Sequence, residues 1–534
     1  MTTSAGAQEG KARDHHLQEP DPGQASRGWE PRPRVCVIGA GVAGLVTARV
    51  LRNDGFRVTV FEREPEPGGV WTSSRSYPGL RANTPREVYS FSDFPYPDGT
   101  DDFPTAAQVR GYLAAYADHF GLRPLLELST EVTSVARVKE AEGDTGSFEV
   151  TVSPVGTGDT RCRTFDFVAV CSGTFSIPHV PRLPGRDRFA GSVRHSSRFQ
   201  DAARFTDQRV VVVGGGRSAM GIAASVAERA RSVTLVCRRP HWMMPRYLLG
   251  TRMDRLFVTR LAEALLPPYH RPDPNGGEAP RQSTFRKMAA PLLRLWWRGQ
   301  TRLVPRLAGM PPGMLPDATL PGGLEKSGIG TEFYQALREG QAEVERSGIT
   351  GFSGPDTLRL ETGREIRADV VVLATGWRTA LPFLDEELTA EVQQDGRIQL
   401  YRRILAPREP RLGFVGFASS TACTITSELG AHWLSQCFRG ELDLPSSEAR
   451  ECEARGFDRW ATQAFPDRPE GAFIGPYVAH YVDDLMRDMG LPERRKRSRL
   501  REYLGPLTAE RYRGVADERR QARTKGNAGS HRDA

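Results

Sequence analysis

Short runs of apolar residues that end in glycines set the pattern of this chain. The first run covers residues 35–38 and is followed by the spacing Gly-x-Gly-x-x-Gly at residues 39–44. Residues 45–51 then show the apolar spacing of a helix, and residues 57–61 form a second apolar run that ends beside Glu62. This order of strand, glycine loop, helix and strand predicts a β-α-β unit.

The glycine spacing of this first unit is typical of a dinucleotide-binding loop. Gly39 permits the tight turn, Gly41 lets a pyrophosphate approach the backbone, and Gly44 allows helix and strand to pack closely. The N-terminus of the helix presents free N–H groups and a positive dipole end to the phosphates. Glu62 follows about 20 residues later, where an acid accepts the ribose hydroxyls. We therefore predict a dinucleotide site here.

A second unit of the same kind occupies the middle of the chain. Residues 209–213 form an apolar run, and residues 214–219 have the spacing Gly-x-Gly-x-x-Ala. A helix over residues 220–229 and a strand over residues 233–237 are predicted to follow. The chain therefore contains an internal repeat of two dinucleotide-binding units.

The two units differ at the residue that meets the ribose. The second strand of the second unit ends in Arg238 and Arg239, at the position that Glu62 occupies in the first. An arginine there pairs with a ribose 2′-phosphate, which a carboxylate would repel. The first unit is therefore assigned to FAD and the second to NADPH. The alternative for the arginine pair is a solvated strand end.

Two similar strands close the two units. Residues 166–173 and residues 369–376 both run from Asp to Gly, and each follows a predicted hairpin. The order of these strands predicts an α/β fold with two Rossmann-like dinucleotide-binding domains, the NADPH domain being inserted in the FAD domain. The predicted boundaries are a disordered leader (1–32), an FAD domain (33–200 and 370–513), an NADPH domain (201–369) with a helical basic insertion (about 241–345), and a disordered tail (514–534).

Composition narrows the class of protein. Of 534 residues, 39% are hydrophobic, which is typical of a globular protein and not of a disordered one. The seven cysteines include no Cys-x-x-Cys pair, which argues against a zinc site or a redox dithiol, and no metal site is predicted. The polar N-terminus and the lack of an apolar run of about 20 residues predict a cytoplasmic protein without a transmembrane anchor.

Positive charge is concentrated in one segment. The chain has a net charge of +8, and residues 241–310 contain twelve basic and four acidic residues together with Trp296 and Trp297. Such a segment can meet an anionic substrate, a carrier protein or a membrane surface, or it can be a solvated basic face with tryptophans packed beneath it. No nucleic-acid-binding motif accompanies the charge. An amphipathic helix is predicted over residues 428–438.

The linker between the units carries a more specific signal. Residues 189–199 fit Phe-x-Gly-x-x-x-His-x-x-x-aromatic, from Phe189 through His195 to Phe199. This resembles the fingerprint of the flavin-containing monooxygenases and their Baeyer–Villiger relatives, which are class B flavin-dependent monooxygenases. The resemblance covers about residues 34–440, and further matching segments lie at residues 68–71, 80–87, 91–95, 374–377 and 382–385.

Within this superfamily the residues favour the branch that oxygenates nitrogen or sulfur. Position 83 is Asn, as in that branch, whereas Baeyer–Villiger enzymes tend to have Asp. Phe199 departs from both the usual Tyr and the usual Trp, and the Cys-Lys-Arg-Pro segment of many Baeyer–Villiger enzymes is absent. The alternatives are a Baeyer–Villiger monooxygenase acting on a ketone and an NADPH oxidase or reductase.

The resemblance implies a cycle in which NADPH reduces FAD and dioxygen adds to the flavin C4a atom. NADP⁺ then shields the hydroperoxide, and a soft nucleophile of a small molecule takes its distal oxygen. Asn83 is predicted to act at this centre through its amide, with a turn-stabilising role as the alternative. His195 is predicted to brace the linker and shape the nicotinamide site, or else to be a buried structural histidine.

The loop at residues 67–71 and the ends of the closing strands complete the predicted site. Ser172 and Thr375 are expected to lie near a cofactor. The predicted cofactor-binding residues are Gly39, Gly41, Gly44, Glu62, Gly69, Trp71, Asn83, Gly214, Gly216, Ser218, Arg238, Arg239 and Thr375.

Overall fold

The computed structural model describes residues 32–530, apart from residues 78, 141–142, 249, 253, 271–283, 322–323, 325–326, 467 and 469–470. The predicted disordered leader therefore lies outside the described residues, except for Arg32. From Pro33 onward the described residues form one compact unit.

The helices of the described residues follow one another along the chain as α1 (Val42–Asn53), α2 (Ala106–His119), α3 (Arg217–Ala227), α4 (Asp254–Phe257), α5 (Arg260–Ala264), α6 (Thr284–Leu307), α7 (Glu332–Arg338), α8 (Glu386–Val392), α9 (Cys423–Phe438), α10 (Ser447–Ala464), α11 (Val478–Asp488), α12 (Arg499–Leu504) and α13 (Val515–Ser530).

The strands are β1 (Arg34–Ile38), β2 (Arg57–Phe61), β3 (Leu126–Glu127), β4 (Thr130–Glu140), β5 (Gly143–Pro154), β6 (Arg161–Phe165), β7 (Phe167–Val170), β8 (Ile177–Pro178), β9 (Ser192–His195), β10 (Arg209–Val213), β11 (Ser232–Val236), β12 (Trp242–Met244), β13 (Tyr247–Leu248), β14 (Thr251–Arg252), β15 (Ser327–Ile329), β16 (Glu343–Glu345), β17 (Ile349–Gly354), β18 (Thr357–Leu360), β19 (Glu365–Arg367), β20 (Val370–Leu373), β21 (Trp377–Arg378), β22 (Gln393–Gln394), β23 (Arg397–Ile398), β24 (Leu412–Phe414), β25 (Ser419–Ser420) and β26 (Phe473–Gly475).

The first apolar run forms the central strand of a five-stranded parallel sheet, in the order β24-β7-β1-β2-β3. Val37 of β1 lies beside Val60 of β2. Because successive side chains of a strand point to opposite faces, β1 serves two cores. Val35 and Val37 pack in the core that contains α1 and α9, whereas Cys36 and Ile38 pack with the antiparallel sheet β4-β5-β6.

The second apolar run is the central strand of another five-stranded parallel sheet, in the order β16-β11-β10-β20-β9. Its layers repeat those of the first sheet. Val210 and Val212 pack in the core that contains α3, whereas Val211 packs with the antiparallel sheet β17-β18-β19. All strands of this second sheet lie between β7 and β24 in sequence, so the predicted fold, with one dinucleotide-binding unit inserted in another, is confirmed.

The two sheets also repeat a hydrogen bond at the start of their central strands. Asp166, just before β7, accepts a hydrogen bond from the backbone N–H of Arg34 over 2.6 Å. Asp369, just before β20, accepts one from the backbone N–H of Arg209 over 2.7 Å. The aspartate that precedes β7 and the one that precedes β20 therefore make the same contact, each with the first residue of the neighbouring central strand.

The segment that leaves the first unit and the segment that returns to it lie side by side. β8 and β21 form a two-stranded antiparallel ribbon in which Pro178 lies opposite Trp377. The Thr379 hydroxyl donates to the carbonyl of Thr174 over 2.8 Å, and Arg378 Nε donates to His179 Nδ1 over 3.1 Å. Both connections between the sheets are thus held as one ribbon.

The helix predicted over residues 428–438 is longer and more buried than its spacing indicated. α9 begins at Cys423, and all its residues from Thr424 to Phe438 are buried. Its polar groups bond inside the protein: Glu428 accepts hydrogen bonds from the N–H and the hydroxyl of Ser92 over 2.9 and 2.7 Å. The prediction of an amphipathic helix was wrong, because polar residues that suggested a solvent face have buried partners.

The predicted disordered tail, residues 514–534, is corrected over most of its length. α13 occupies Val515–Ser530, and its first turn is anchored by the buried Val515. Arg519 is also buried and donates to Asp54 Oδ2 over 2.8 Å and to His432 Nδ1 over 2.7 Å. The sequence alone did not indicate this contact, because Asp54 and His432 are both far from Arg519 in the chain. Residues 531–534 lie outside the described residues.

The predicted basic insertion contains α4 to α7 and the short strands β12 to β15. It is tied to the C-terminal helices by buried ion pairs. Arg260 of α5 pairs with Asp483 of α11 over 2.6 Å and with Glu502 of α12 over 2.7 Å. Among the helices described, none is both long and apolar enough to cross a bilayer.

Candidate functional site

Both glycine loops open into one large cavity, here called the central cavity. It lies where β1 and β10 end, as expected for open parallel sheets, which bind ligands at the carboxyl ends of their strands. Its volume is about 1560 Å³. This exceeds the roughly 300–1,000 Å³ of a site for one small ligand. The space is therefore sufficient for more than one bound molecule.

Most of the predicted site residues meet at this cavity. Gly44 and His195 are the exceptions, since both lie behind its wall. The predicted residues that line it are Gly39, Gly41, Glu62, Gly69, Trp71, Asn83, Gly214, Gly216, Ser218, Arg238, Arg239 and Thr375.

The first loop forms a cradle that has no room for a side chain at Gly39 or Gly44. Gly39 has a φ of +103°, and a Cβ there would lie 2.8 Å from the carbonyl oxygen of Cys171. A Cβ on Gly44 would lie only 1.8 Å from the carbonyl oxygen of Gly39, which explains why this glycine acts from behind the wall. Gly41 faces the backbone of Gly69, since a Cβ on Gly41 would be 3.4 Å from that Cα.

Glu62 closes the far side of this first loop. Its carboxylate accepts hydrogen bonds from the backbone N–H of Ala40 over 2.7 Å and of Glu64 over 2.9 Å. Burial raises the pKa of the Glu62 carboxyl, and the two backbone donors oppose that rise. The side chain thus orders the loop and also lines the cavity.

The second loop repeats this construction. Gly214 has a φ of +142°, and a Cβ there would lie 2.3 Å from the carbonyl oxygen of Ala374. Gly216 is the N-cap of α3, so the first N–H groups of that helix adjoin the loop. Arg238 and Arg239 follow β11 with exposed side chains at the cavity. An anion at this helix N-terminus would lie in a region of positive potential.

Asn83 projects into the central cavity. Its side chain is exposed there, and it makes no hydrogen bond to the residues that the structure describes. Its neighbours Ala82 and Thr84 are buried, so the backbone on either side is held in place. The amide therefore remains available to a ligand, and a turn-stabilising role has no supporting contact.

His195 joins the linker to the second sheet. Its Nδ1 accepts a hydrogen bond from the backbone N–H of Ser197 over 3.1 Å, so the proton lies on Nε2. That Nε2 donates to the carbonyl of Gly376 over 3.0 Å, and the ring meets Trp377 edge-on. Burial lowers the pKa of His195, which favours this neutral form. These contacts support the bracing role.

Several lining residues went unnoticed in the sequence. Arg75 donates to the carbonyl of Phe175 over 2.9 Å and lies over the Trp377 ring at 4.8 Å. Arg217, the first residue of α3, and Cys423, the first of α9, also line the cavity. Only the position of Arg217 inside the second glycine loop could have revealed its placement.

Two buried polar atoms support the presence of a ligand. The Ser172 hydroxyl and Arg217 Nε are both buried and have no hydrogen-bond partner among the described residues, yet both residues line the central cavity. Buried polar groups are nearly always satisfied, so such atoms indicate a partner that binds there. Together with the two glycine cradles, the residues present fit two dinucleotide cofactors.

Comparison with known families gives an independent result. The family model described as flavin-binding monooxygenase-like (FMO-like) matches residues 32–268 and 335–493. A curated relative, probable flavin-containing monooxygenase 1 of Arabidopsis thaliana, is 28% identical, with 91% of this chain and 97% of the relative covered. Dimethylaniline monooxygenase (N-oxide-forming) 2 of Cavia porcellus is also 28% identical, with 86% and 82% covered.

Solved structures share the fold. The structure of S-allyl-L-cysteine S-oxygenase from Allium sativum has a TM-score of 0.58 at 22% identity, with 92% of this chain and 94% of that chain covered. A cyclohexanone-bound cyclohexanone monooxygenase has a TM-score of 0.64 at 18% identity, with 85% and 97% covered.

Proposed function

The chain belongs to the flavin-binding monooxygenase-like family, and on that premise we propose that it oxygenates a nitrogen or sulfur atom of a small molecule. Members of this family are FAD-containing, NADPH-dependent monooxygenases, so the class of enzyme and its cofactors follow from membership. The atom that receives the oxygen is the part that we infer.

The first glycine loop would hold FAD and the second NADPH. Glu62 would meet a ribose hydroxyl of FAD, and Arg238 and Arg239 would pair with the 2′-phosphate of NADPH. All three residues line the central cavity. The observation that carries the proposal is that both loops open into one central cavity. Bound there, the two cofactors would share one space.

Bound FAD and NADPH would supply the redox chemistry and the activation of dioxygen, which no side chain provides. The protein would position the cofactors, exclude water and orient the substrate. Asn83 would present an amide that both donates and accepts hydrogen bonds inside the cavity, which an ionised carboxylate cannot do. His195 would hold the linker through Gly376 without transferring a proton to substrate.

The choice of nitrogen or sulfur over a ketone rests on two supports. Asn83 is typical of the heteroatom branch, and the segment typical of many Baeyer–Villiger enzymes is absent. The names of an N-oxide-forming monooxygenase and an S-oxygenase agree with this assignment, whereas the name of the cyclohexanone monooxygenase agrees with the ketone alternative.

Product analysis tests the proposal directly. The FAD-loaded protein would be given NADPH, ¹⁸O₂ and in turn a tertiary amine, a thioether and a cyclic ketone, with NADPH, peroxide and product measured together. We expect an N-oxide or sulfoxide that carries one ¹⁸O atom. A labelled lactone without heteroatom oxides would assign the chain to ketone oxygenation, and peroxide as the only product throughout would indicate an oxidase.

A further inference from the structure

One side of α6 belongs to the protein interior. Trp297 Nε1 donates to the carbonyl of Leu265 over 3.3 Å, and Val304 is buried in the core that contains α3. Trp296, Trp297, Gln300 and Val304 line the central cavity. The helix is therefore held firmly along its inner face.

An adjacent side of α6 exposes large apolar side chains to solvent. Leu292 and Leu295 are 71% and 67% exposed, and Leu303 and Leu307 are 44% and 43% exposed. Their spacing of three, eight and four residues places them on one helix face. Trp296 lies beside them; it is 37% exposed and also lines the central cavity. Single exposed leucines are common, but an aligned row indicates a surface that another body covers.

Cations flank this row. Arg294, Arg298, Arg302 and Arg306 are exposed and form no ion pair with the residues that the structure describes. The sequence contains no acidic residue from 279 to 316. The apolar row and its flanking arginines are called the α6 surface.

A second segment has the same character. Residues 494–504 expose Leu500, Tyr503 and Leu504 on one side of α12, the first of these at 69%. The exposed cations here, none with an ion pair in the described part of the chain, are Arg494, Lys496, Arg497, Arg499 and Arg501. This segment is called the α12 surface.

The two surfaces belong to neighbours of the same short helix. The carbonyl of Leu265, at the C-terminal end of α5, accepts a hydrogen bond from the Trp297 indole of α6. At its other end Arg260 of α5 pairs with the buried Glu502 of α12. α6 and α12 are thus both anchored to α5, and each keeps its basic, leucine-rich side exposed.

We propose that the α6 and α12 surfaces bind an anionic phospholipid bilayer. Arginine and lysine beside leucine and tryptophan are the composition by which a helix lies in the boundary between lipid headgroups and acyl chains. Nucleic acid would pair with the cations but has no apolar region in which the exposed leucines could be buried. Bilayer binding would bring the α6 wall of the central cavity next to the lipid.

Vesicle binding tests this proposal. The full-length, FAD-loaded chain would be sedimented with vesicles of phosphatidylcholine alone or with 30% phosphatidylglycerol, at low and high salt. We expect binding to the anionic vesicles, weakened by salt because the attraction is electrostatic. Brominated acyl chains should quench the wild-type fluorescence more than that of Trp296→Phe.

Matched variants separate the surfaces from general charge. The variant Arg298→Gln/Arg302→Gln/Arg306→Gln should lose roughly tenfold or more in vesicle affinity, since each cation near such a surface contributes. Leu292→Ser/Leu295→Ser should lose the quenching. The charge control removes three exposed arginines elsewhere, namely Arg182→Gln/Arg188→Gln/Arg204→Gln. Flavin content and melting temperature show that each variant is folded.

Other outcomes overturn the proposal. Equal affinity for neutral and anionic vesicles would remove the role of the cations, and an equal loss in the charge control would remove the role of the α6 surface. Absence of vesicle binding at low salt would refute it outright. Binding to a duplex DNA fragment without binding to vesicles would assign the surfaces to nucleic acid.

Discussion

At the scale of single residues, Asn83 is the side chain whose function can be tested most directly. Asn83→Ala removes the amide from the cavity without touching either glycine loop. We expect normal FAD content and NADPH binding but about tenfold less oxygenated product per NADPH consumed, with peroxide making up the difference. Product and peroxide yields measure this ratio.

The exposed Asn53→Ala, at the end of α1, is the matched control. An unchanged yield of product in Asn83→Ala would show that the amide has no part in the reaction.

Arg238 allows the cofactor assignment to be tested by comparing two nicotinamides. Arg238→Ala should raise the KM for NADPH by roughly tenfold or more, because a charge-assisted hydrogen bond contributes about 1.5–3 kcal/mol, and should leave NADH almost unchanged. Steady-state kinetics with both cofactors give the ratio. Arg231→Ala, an exposed position at the other end of β11, serves as the control. An equal loss for both cofactors would contradict the 2′-phosphate assignment.

Glu428 should make stability depend on pH. Burial raises its pKa from 4.5 to about 7, so the folded protein binds more protons than the unfolded chain between these values. Stability contributed by this group is therefore present below about pH 4.5 and is lost as pH rises to 7. Glu428→Gln should be more stable than wild type at pH 8, on the order of 3 kcal/mol, with a smaller gain at pH 5.

Urea unfolding at the two pH values measures this difference, with the exposed Glu386→Gln as the control for substitution itself. A gain that is the same at both pH values would show that titration of Glu428 is not its cause.

At the scale of elements, α13 should stabilise the fold although its sequence is highly charged. Arg519→Met leaves Asp54 and His432 without their buried partner, and breaking such a pair costs on the order of 3 kcal/mol. Arg520→Met removes the next residue of the helix, whose side chain is 57% exposed, and should change stability by less than about 0.5 kcal/mol. Chemical unfolding compares the two; equal effects would show that α13 is not anchored through Arg519.

At the scale of the whole molecule, the seven cysteines differ in how accessible they are to solvent and so to a thiol reagent. Cys162 and Cys452 are exposed, whereas Cys36, Cys171, Cys237 and Cys437 are buried. Cys423 is half-buried and lines the central cavity, which the buried Cys171 and Cys237 also line. An aromatic disulfide reagent should therefore label Cys162 and Cys452 rapidly and Cys423 once the cofactors are removed. Cys36 and Cys437, which are buried away from the cavity, should react only after unfolding.

Mass spectrometry of labelled peptides identifies each site. Rapid labelling of Cys423 in the cofactor-loaded protein would contradict its placement inside a filled cavity. Labelling of Cys36 or Cys437 in the folded protein would contradict their burial.

The fold was largely predictable because its signals are local. The valine-rich strands β1 and β10 and the glycine loops after them follow from short-range sequence, and the repeated Asp-to-Gly spacing identified β7 and β20. Burial of α9 and the docking of α13 were not predictable. They depend on pairs such as Glu428 with Ser92 and Arg519 with Asp54, which are hundreds of residues apart.

The candidate site was predictable where a backbone conformation demands one residue type. Gly39 and Gly214 lie at positive φ against carbonyl groups of the closing strands, so only glycine fits there. Arg75 and Cys423 reach the same cavity from a loop and a helix end that carry no spacing rule. Their placement depends on how distant segments pack, which a single sequence does not encode in any short pattern.

The ribbon formed by β8 and β21 bears on the history of the chain. Pro178 and Trp377 lie opposite each other in neighbouring strands. A two-residue turn could therefore connect residue 178 directly to residue 377. Such an excision would remove nearly 200 residues and keep all five strands of the first sheet. An ancestor with a single nucleotide fold could therefore have acquired its second copy at this seam without altering the sheet that received it.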